Sequence, residues 1–237
     1  MRIEGATALV TGARRGIGLA FAQALLDHGA ATVYAGVRDP STTTVADARL
    51  IPLALDVTDP DQVAAAAEQV GDALIVINNS GVQSGVGLFE GDLDGARREM
   101  EVNYFGTWSV SRAFAPVLAR NGGGALVNML SVASWRARVP AVGYAASKSA
   151  EWALTNALRT GLRDQGTLVV GVHVGYVDTE FVTNIDAPKV TAESVAAQTI
   201  DAILHDRPEV LADEPARTVK AALSYRVQGD PTADIPD

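Results

Sequence analysis

Short apolar runs alternate with longer amphipathic ones along this 237-residue chain. Ala6-Thr7-Ala8-Leu9-Val10 is short and apolar, the pattern of a strand buried on both faces. Gly16 to His28 follows, with Ile17, Ala20, Phe21, Ala24 and Leu25 recurring at helical spacing. The same reasoning predicts further strands over Ala31–Val37, Leu50–Leu55, Leu74–Ile77, Ala125–Leu130 and Leu168–Val174. Helices are predicted over about Leu93–Ala119, Gly143–Asp164 and Ala192–Leu204. Another opens at Asp59-Pro60-Asp61, where the acid caps and the proline's missing N–H costs nothing. Strands apolar on both faces, alternating with helices, argue for a doubly wound α/β architecture: a parallel sheet covered on both sides. Right-handed crossovers put the loops that follow the strands at one sheet edge. No internal repeat or long low-complexity tract divides the sequence, so residues 1–237 are expected to form one domain. Gly229 to Asp237, polar with two prolines, reads as a frayed tail.

Composition narrows the function classes. Apolar residues at 48 % and charged residues at 20 % exclude general disorder. There are no cysteines, which excludes disulfide frameworks, thiolate zinc sites and cysteine nucleophiles. A net charge of −9 argues against nucleic-acid and anionic-membrane partners. No apolar run approaches the ~18 residues of a membrane span. Met1-Arg2-Ile3-Glu4 is not followed by a secretory core. The expected location is the cytoplasm.

Thr11-Gly12-Ala13-Arg14-Arg15-Gly16-Ile17-Gly18 sits between the first strand and the first helix. Glycines permit a tight turn and close approach of a ligand to the backbone. The helix N-terminus behind them suits a pyrophosphate. Arg38 lies just past the second strand, where an acid would normally hold the adenosine ribose hydroxyls. Arg38 together with Arg15 favours an extra ribose phosphate, hence NADP(H) over NAD(H). Asp39, one residue further on, points the other way.

Tyr144 and Lys148 are four apart and share a helix face. A tyrosine hydroxyl titrates near about 10, and a neighbouring ammonium favours its phenolate. The pair is expected to give a proton to a substrate oxygen or take one back. Ser131 ends the fifth strand, 13 residues before Tyr144. Asn103 stands inside the long preceding helix, where asparagine is a mediocre helix former. Asn78-Asn79-Ser80-Gly81 ends the fourth strand, at the central crevice where such sheets bind ligands.

With these residues in place, the chain resembles the classical short-chain dehydrogenase/reductase family from Ala6 to about Leu211. The family's glycine motif matches Thr11-Gly12-x-x-x-Gly16-Ile17-Gly18, and its Asp-Val pair matches Asp56-Val57. Its Asn-Asn-Ala-Gly motif matches Asn78 to Gly81, with Ser80 in place of alanine. Its catalytic tetrad falls on Asn103, Ser131, Tyr144 and Lys148. The resemblance implies a Rossmann-type sheet of about seven strands in the order 3-2-1-4-5-6-7. It makes Tyr144 the general acid or base and gives Ser131 the substrate oxygen. Lys148 would lower the tyrosine pKa and bind the nicotinamide ribose. Asn103 would anchor a water linking Lys148 to solvent. The dinucleotide would contact Gly12, Arg14, Arg15, Gly16, Ile17, Gly18, Arg38, Asp56, Val57, Asn79, Ser80 and Gly81. Toward its nicotinamide it would meet Tyr144, Lys148, Gly175, Val177 and Thr179. The substrate pocket would comprise Ser131, Trp135, Val139, Tyr144, Tyr176 and Phe181. One departure stands out: the family's Pro-Gly pair reads Val174-Gly175 here.

Other candidates weigh less. His28, His173 and His205 have no ligand spacing, so no metal site is expected. His173 reads as a packed histidine. Arg136 and Arg138 could receive an anionic substrate group or face solvent. Phe181 and Val182 open a segment that forms a lid in the family. Glu151, Trp152, Ala153 and Ala157 on the Tyr–Lys helix suit helix packing, and in the family this helix packs against another subunit. The sequence therefore points to an NADP(H)-dependent oxidoreductase interconverting a ketone or aldehyde and an alcohol, as a homodimer or homotetramer. Two alternatives stay open: a cofactor-binding sensor without turnover, and a redox-neutral lyase or epimerase.

Overall fold

Seven parallel strands form one sheet in the order β3-β2-β1-β4-β5-β6-β7. They are β1 Thr7–Thr11, β2 Thr32–Val37, β3 Leu50–Ala54, β4 Ala73–Asn78, β5 Gly124–Met129, β6 Thr167–His173 and β7 Glu209–Leu211. The helices are α1 Gly16–Asp27, α2 Pro60–Gln69, α3 Asp94–Met100, α4 Thr107–Arg120, α5 Val142–Gly161, α6 Ala192–Leu204 and α7 Glu214–Ala222. The structure is a computed structural model describing residues 1–43, 47–182 and 186–223. The expected tail at 229–237 lies outside the described residues. The observed strand order is the one the resemblance implied.

Alternation along the strands explains why they are apolar on both faces. Ala8, Val10, Ile75, Ile77 and Val127 pack against Phe21 of α1 and Val195 and Ile200 of α6. Their neighbours Leu9, Val76 and Leu126 point the other way, onto Val63 of α2 and Val110, Phe114 and Val117 of α4. Each strand therefore contributes to two cores, as a sheet with helices on both faces requires. A buried polar chain crosses the second core. Asn78 Nδ2 donates to Asn128 Oδ1 (2.9 Å) and Ser111 Oγ (3.2 Å), and Asn128 Nδ2 donates to Thr155 Oγ1 (2.9 Å). It ties β4 and β5 to α4 and α5.

Helix starts follow their caps. Asp59 accepts from the amides of Asp61 (3.0 Å) and Gln62 (3.2 Å), with Pro60 first in α2. Thr191 caps α6 through the Ser194 amide at 3.1 Å. The helix expected over Leu93–Ala119 is in fact interrupted. Glu101–Gly106 widens into a π-type turn between α3 and α4. A Cβ on Gly106 would come within 2.6 Å of Val57 Cγ2, so glycine admits the close approach of this turn to the segment after β3.

The C-terminal helix α7, for which the hydrophobic pattern gave no prediction, begins at an acid–Pro signal like that of α2. Asp213 Oδ1 accepts from the Ala216 amide at 2.9 Å, and Pro215 lies in the first turn. Its other oxygen accepts from the Gly175 amide at 2.7 Å. Asp213 thus anchors α7 and the chain after β6 together, at the place where the family proline is missing. Asp213→Ala should cost about 1–3 kcal/mol of stability, from a lost cap and an unpaired amide. Denaturant unfolding would read this, with Asp213→Asn, whose single side-chain oxygen can keep only one of the two bonds, falling between Asp213→Ala and the unaltered chain.

Candidate active site

The carboxyl ends of β1, β4, β5 and β6 open into one cleft of about 2550 Å³. Its near wall is the glycine loop. Gly12 and Gly16 adopt φ values of +66° and +56°, which favour glycine. At Gly18 a Cβ would overlap the Gly12 carbonyl and come within 2.6 Å of Asn79 Nδ2. The loop is braced from β4: Thr11 Oγ1 accepts from the amides of Asn79 and Ser80 (3.0 Å each), and Asn79 Nδ2 donates to Thr11 O (3.0 Å) and Gly12 O (3.3 Å). Helix α1 has no side-chain cap and no acid in its first turn, so its first amides stay available to a ligand. Unsatisfied amides at a positive helix end fit a pyrophosphate.

Arginines surround the far end of this wall. Arg15 pairs with Glu180 across the cleft, and both side chains are exposed. Arg38 and Arg98 stand near Asp56. Burial pushes the Asp56 carboxyl up, but hydrogen bonds from Thr58 Oγ1 (2.7 Å) and the Thr58 amide (3.0 Å), with the two arginine charges, hold it below the usual carboxylate range. Arg98, one turn into α3, was not singled out from the sequence. It becomes visible only once the helix is folded against the cleft.

The floor holds the proton-transfer candidates. Ser131 follows β5, accepts from the Ala133 amide at 3.1 Å, donates to Val174 O at 3.4 Å and stands beside the Tyr144 hydroxyl, whose pKa it pulls down. Tyr144 and Lys148 project from the first turns of α5. The Lys148 ammonium is 4 % exposed and donates to Met129 O (2.7 Å) and Glu151 Oε2 (2.6 Å). Its Nζ lies 6.0 Å from the Tyr144 ring centroid. The expected lowering of the tyrosine pKa is corrected in part. Burial pushes the Tyr144 hydroxyl above its ordinary value. Lys148 and the Ser131 hydroxyl pull it down, Glu151 and Glu99 push it up, and burial prevails.

All of the residues expected to contact a dinucleotide line the cleft, from Gly12 to Thr179, as do Ser131, Tyr176 and Phe181. Three others do not. Asn103 is fully buried behind the floor, in the π-type turn. Its amide donates to Val82 O (2.9 Å) and Ser147 Oγ (2.9 Å), and its oxygen accepts from the Val82 amide (2.8 Å). It clamps the segment after β4 to α5. Trp135 is withdrawn behind Ser131, stacked on His173 with ring centroids 3.8 Å apart, so its place in the substrate pocket is corrected. Val139 is also corrected. It is 62 % exposed, while Pro140 and Ala141 beside it turn to the cleft. Arg138 lines the cleft and donates to the Tyr176 hydroxyl at 2.9 Å.

His173 is packed, as expected. Burial pushes its pKa down to about 3, and the neighbouring Ser131 carbonyl offsets this only in part. The ring is neutral at physiological pH and supports the Ser131 loop from behind. Among the described residues no group of three or more His, Asp or Glu could hold a metal ion. None of their helices is long and apolar enough to cross a membrane.

Known proteins resemble this chain in sequence and in fold. A family model described as short chain dehydrogenase matches residues 6–190. The 1-deoxy-11-beta-hydroxypentalenate dehydrogenase of Streptomyces exfoliatus is 35 % identical over 92 % of this chain and 86 % of its own. A short chain dehydrogenase from Burkholderia cenocepacia J2315, solved in complex with NADP, is 37 % identical. It superposes with a TM-score of 0.92 over 96 % of both chains. A short chain dehydrogenase/reductase from Burkholderia phymatum, solved with NAD, is 27 % identical and reaches 0.84 over 100 % of both.

Proposed function

The chain belongs to the short-chain dehydrogenase family, and on that premise we propose that it is an NADP(H)-dependent oxidoreductase interconverting a ketone or aldehyde and an alcohol. The observation that carries this reading is the meeting of Tyr144, Ser131 and Lys148 on the floor of the cleft walled by the glycine loop. When bound, the nicotinamide supplies or accepts the hydride. Ser131 holds and polarises the substrate oxygen through its hydroxyl. Tyr144 gives that oxygen its proton in reduction and takes it back in oxidation. The Lys148 ammonium steadies the phenolate that remains and holds the ribose. Asn103 keeps the loop after β4 in register with α5, next to Lys148.

Preference for the extra phosphate rests on Arg15 and Arg38, and the NADP bound to the Burkholderia cenocepacia relative agrees with it. The NAD in the Burkholderia phymatum structure makes the preference a matter for direct test. Arg38→Asp should lower the NADPH-over-NADH ratio of kcat/KM by roughly 10- to 100-fold, the worth of a charge-assisted contact. Unchanged selectivity would move the role to Arg15, freed from Glu180 on binding. Exposed Phe105 (46 %) in the turn before α4 and Trp108 (39 %) in its first turn, both packed on Tyr104, support the expected homodimer or homotetramer.

The test is the disappearance of reduced-nicotinamide absorbance with NADPH, and in parallel NADH, across ketones, diketones and β-ketoacyl thioesters. Consumption that depends on Tyr144 supports the reading. NADPH binding without turnover on the whole panel favours a sensor, and substrate conversion without net NADPH consumption a lyase or epimerase.

A further inference from the structure

Glu151 lies one turn beyond Lys148 on α5 and is 1 % exposed. A carboxylate that deep is tolerated only when paired and hydrogen-bonded. Its Oε2 stands 2.6 Å from Lys148 Nζ, and its Oε1 accepts from Thr107 Oγ1, at the start of α4, at 3.3 Å. An ammonium has three donors. Glu151 and the Met129 carbonyl take two of the three on Lys148. The remaining one is left for the cleft, where a Cβ on Gly81 would lie 3.9 Å from Nζ.

The other charged or titratable groups near this pair are few. Tyr144 shares its helix. Glu99 reaches toward the same tyrosine from α3, engaged at Oε1 by the Ser84 amide (2.5 Å) and hydroxyl (2.8 Å). Arg159, further along α5, is turned to Val169 O and Pro208 O. His173 on β6 is neutral and stacked away.

We propose that Glu151 is a positioning residue of the active site: it fixes the Lys148 ammonium and offsets its charge as felt by Tyr144. The inference deepens the function proposed above and rests on it for the role of Tyr144. Burial pushes the Glu151 carboxyl up to about 7, against the pull of Lys148 and Thr107. Tyr144 ionises above its ordinary value, where Glu151 is fully charged. Removing the carboxylate leaves the Tyr144 phenolate as the remaining counter-charge of an ammonium that burial disfavours, so the Tyr144–Lys148 pair gives up a proton more readily and the phenolate forms with it.

The experiment is an ultraviolet titration of the Tyr144 phenolate, isolated by subtracting Tyr144→Phe, in the otherwise unaltered chain and in Glu151→Gln. The amide keeps the shape and can still accept from Lys148. The ionisation constant of Tyr144 should rise about tenfold or more in Glu151→Gln, a shift of about one pH unit to acid. An unmoved midpoint, or one moved to alkali, overturns the proposal. Should Glu151→Gln fail to fold, the unaltered chain labelled at its glutamate carboxyl carbons answers the same question. Coupled groups report on each other, so a glutamate resonance that persists in Glu99→Gln should inflect with Tyr144 and lose the inflection in Tyr144→Phe. Absence of such a resonance overturns the proposal equally. Neither titration uses substrate or cofactor, so a failure here is distinct from a failure to find turnover.

Discussion

Tyr144→Phe should lower turnover by roughly 100-fold or more, the usual worth of a positioned general acid or base. NADPH affinity should stay near that of the unaltered chain. The ring remains, so the packing of Tyr144 near Phe181 (centroids 6.3 Å apart) survives, and only the transferable proton is lost. Steady-state rates and fluorescence titration with NADPH check the two halves separately, and full activity in the variant would overturn the mechanism. The pH dependence has a definite sign. Burial holds the hydroxyl above its ordinary value, so its acid form persists through neutral pH and serves carbonyl reduction there. Alcohol oxidation needs the phenolate, and its rate should climb with pH along an alkaline limb that Tyr144→Phe abolishes.

Lys148→Ala should remove both turnover and much of the NADPH affinity, because one ammonium serves both. Normal cofactor affinity would contradict the ribose contact. A second loss follows from the geometry. Without Lys148, Glu151 keeps only the Thr107 hydroxyl, and an uncompensated buried charge costs on the order of 3–5 kcal/mol. The carboxyl escapes part of this by taking up a proton. Its folded pKa then lies above its unfolded value, so the folded state binds more protons and stability falls as pH rises between the two. Lys148→Ala should therefore unfold more easily at mildly alkaline than at mildly acidic pH in denaturant titrations. Lys148→Met combined with Glu151→Leu should recover stability without recovering activity.

Much of this molecule was legible in its sequence, for identifiable reasons. Strand cores such as Leu74–Ile77 are apolar on both faces because both faces are covered, and Asp59-Pro60 announces α2 by local chemistry. The cofactor wall was legible because its glycines and amides act through the backbone, at fixed spacing. The turn at Glu101–Gly106 was not, since the helical pattern of its neighbours runs through it and the widening depends on Asn103 reaching the Val82 backbone. Trp135 was misplaced because its direction depends on a partner 38 residues away, His173. Helix α7 opens at Asp213-Glu214-Pro215, an acid–proline start one residue longer than the Asp59-Pro60 of α2, and this signal is local and legible in the sequence. Glu151 read as a packing residue. Its spacing of three from Lys148 was the available clue, but burial, which turns a solvated pair into an active-site one, is a tertiary property.

The sheet has one seam. Strands β1 to β3 come from the first part of the chain and β4 to β7 from the rest. Among the described residues the two sets are joined as a ladder only where β1 meets β4, with a shift in register between Thr7 and Ala8. Within each set the strands pair with partners from the same stretch of chain, whereas the seam pairs the two stretches. The glycine loop stands on one side of that seam, its Asn79 brace on the other, and the proton-transfer floor belongs entirely to the second set. Neither set alone could grip a dinucleotide. Competence to bind a dinucleotide thus depends on that seam being joined.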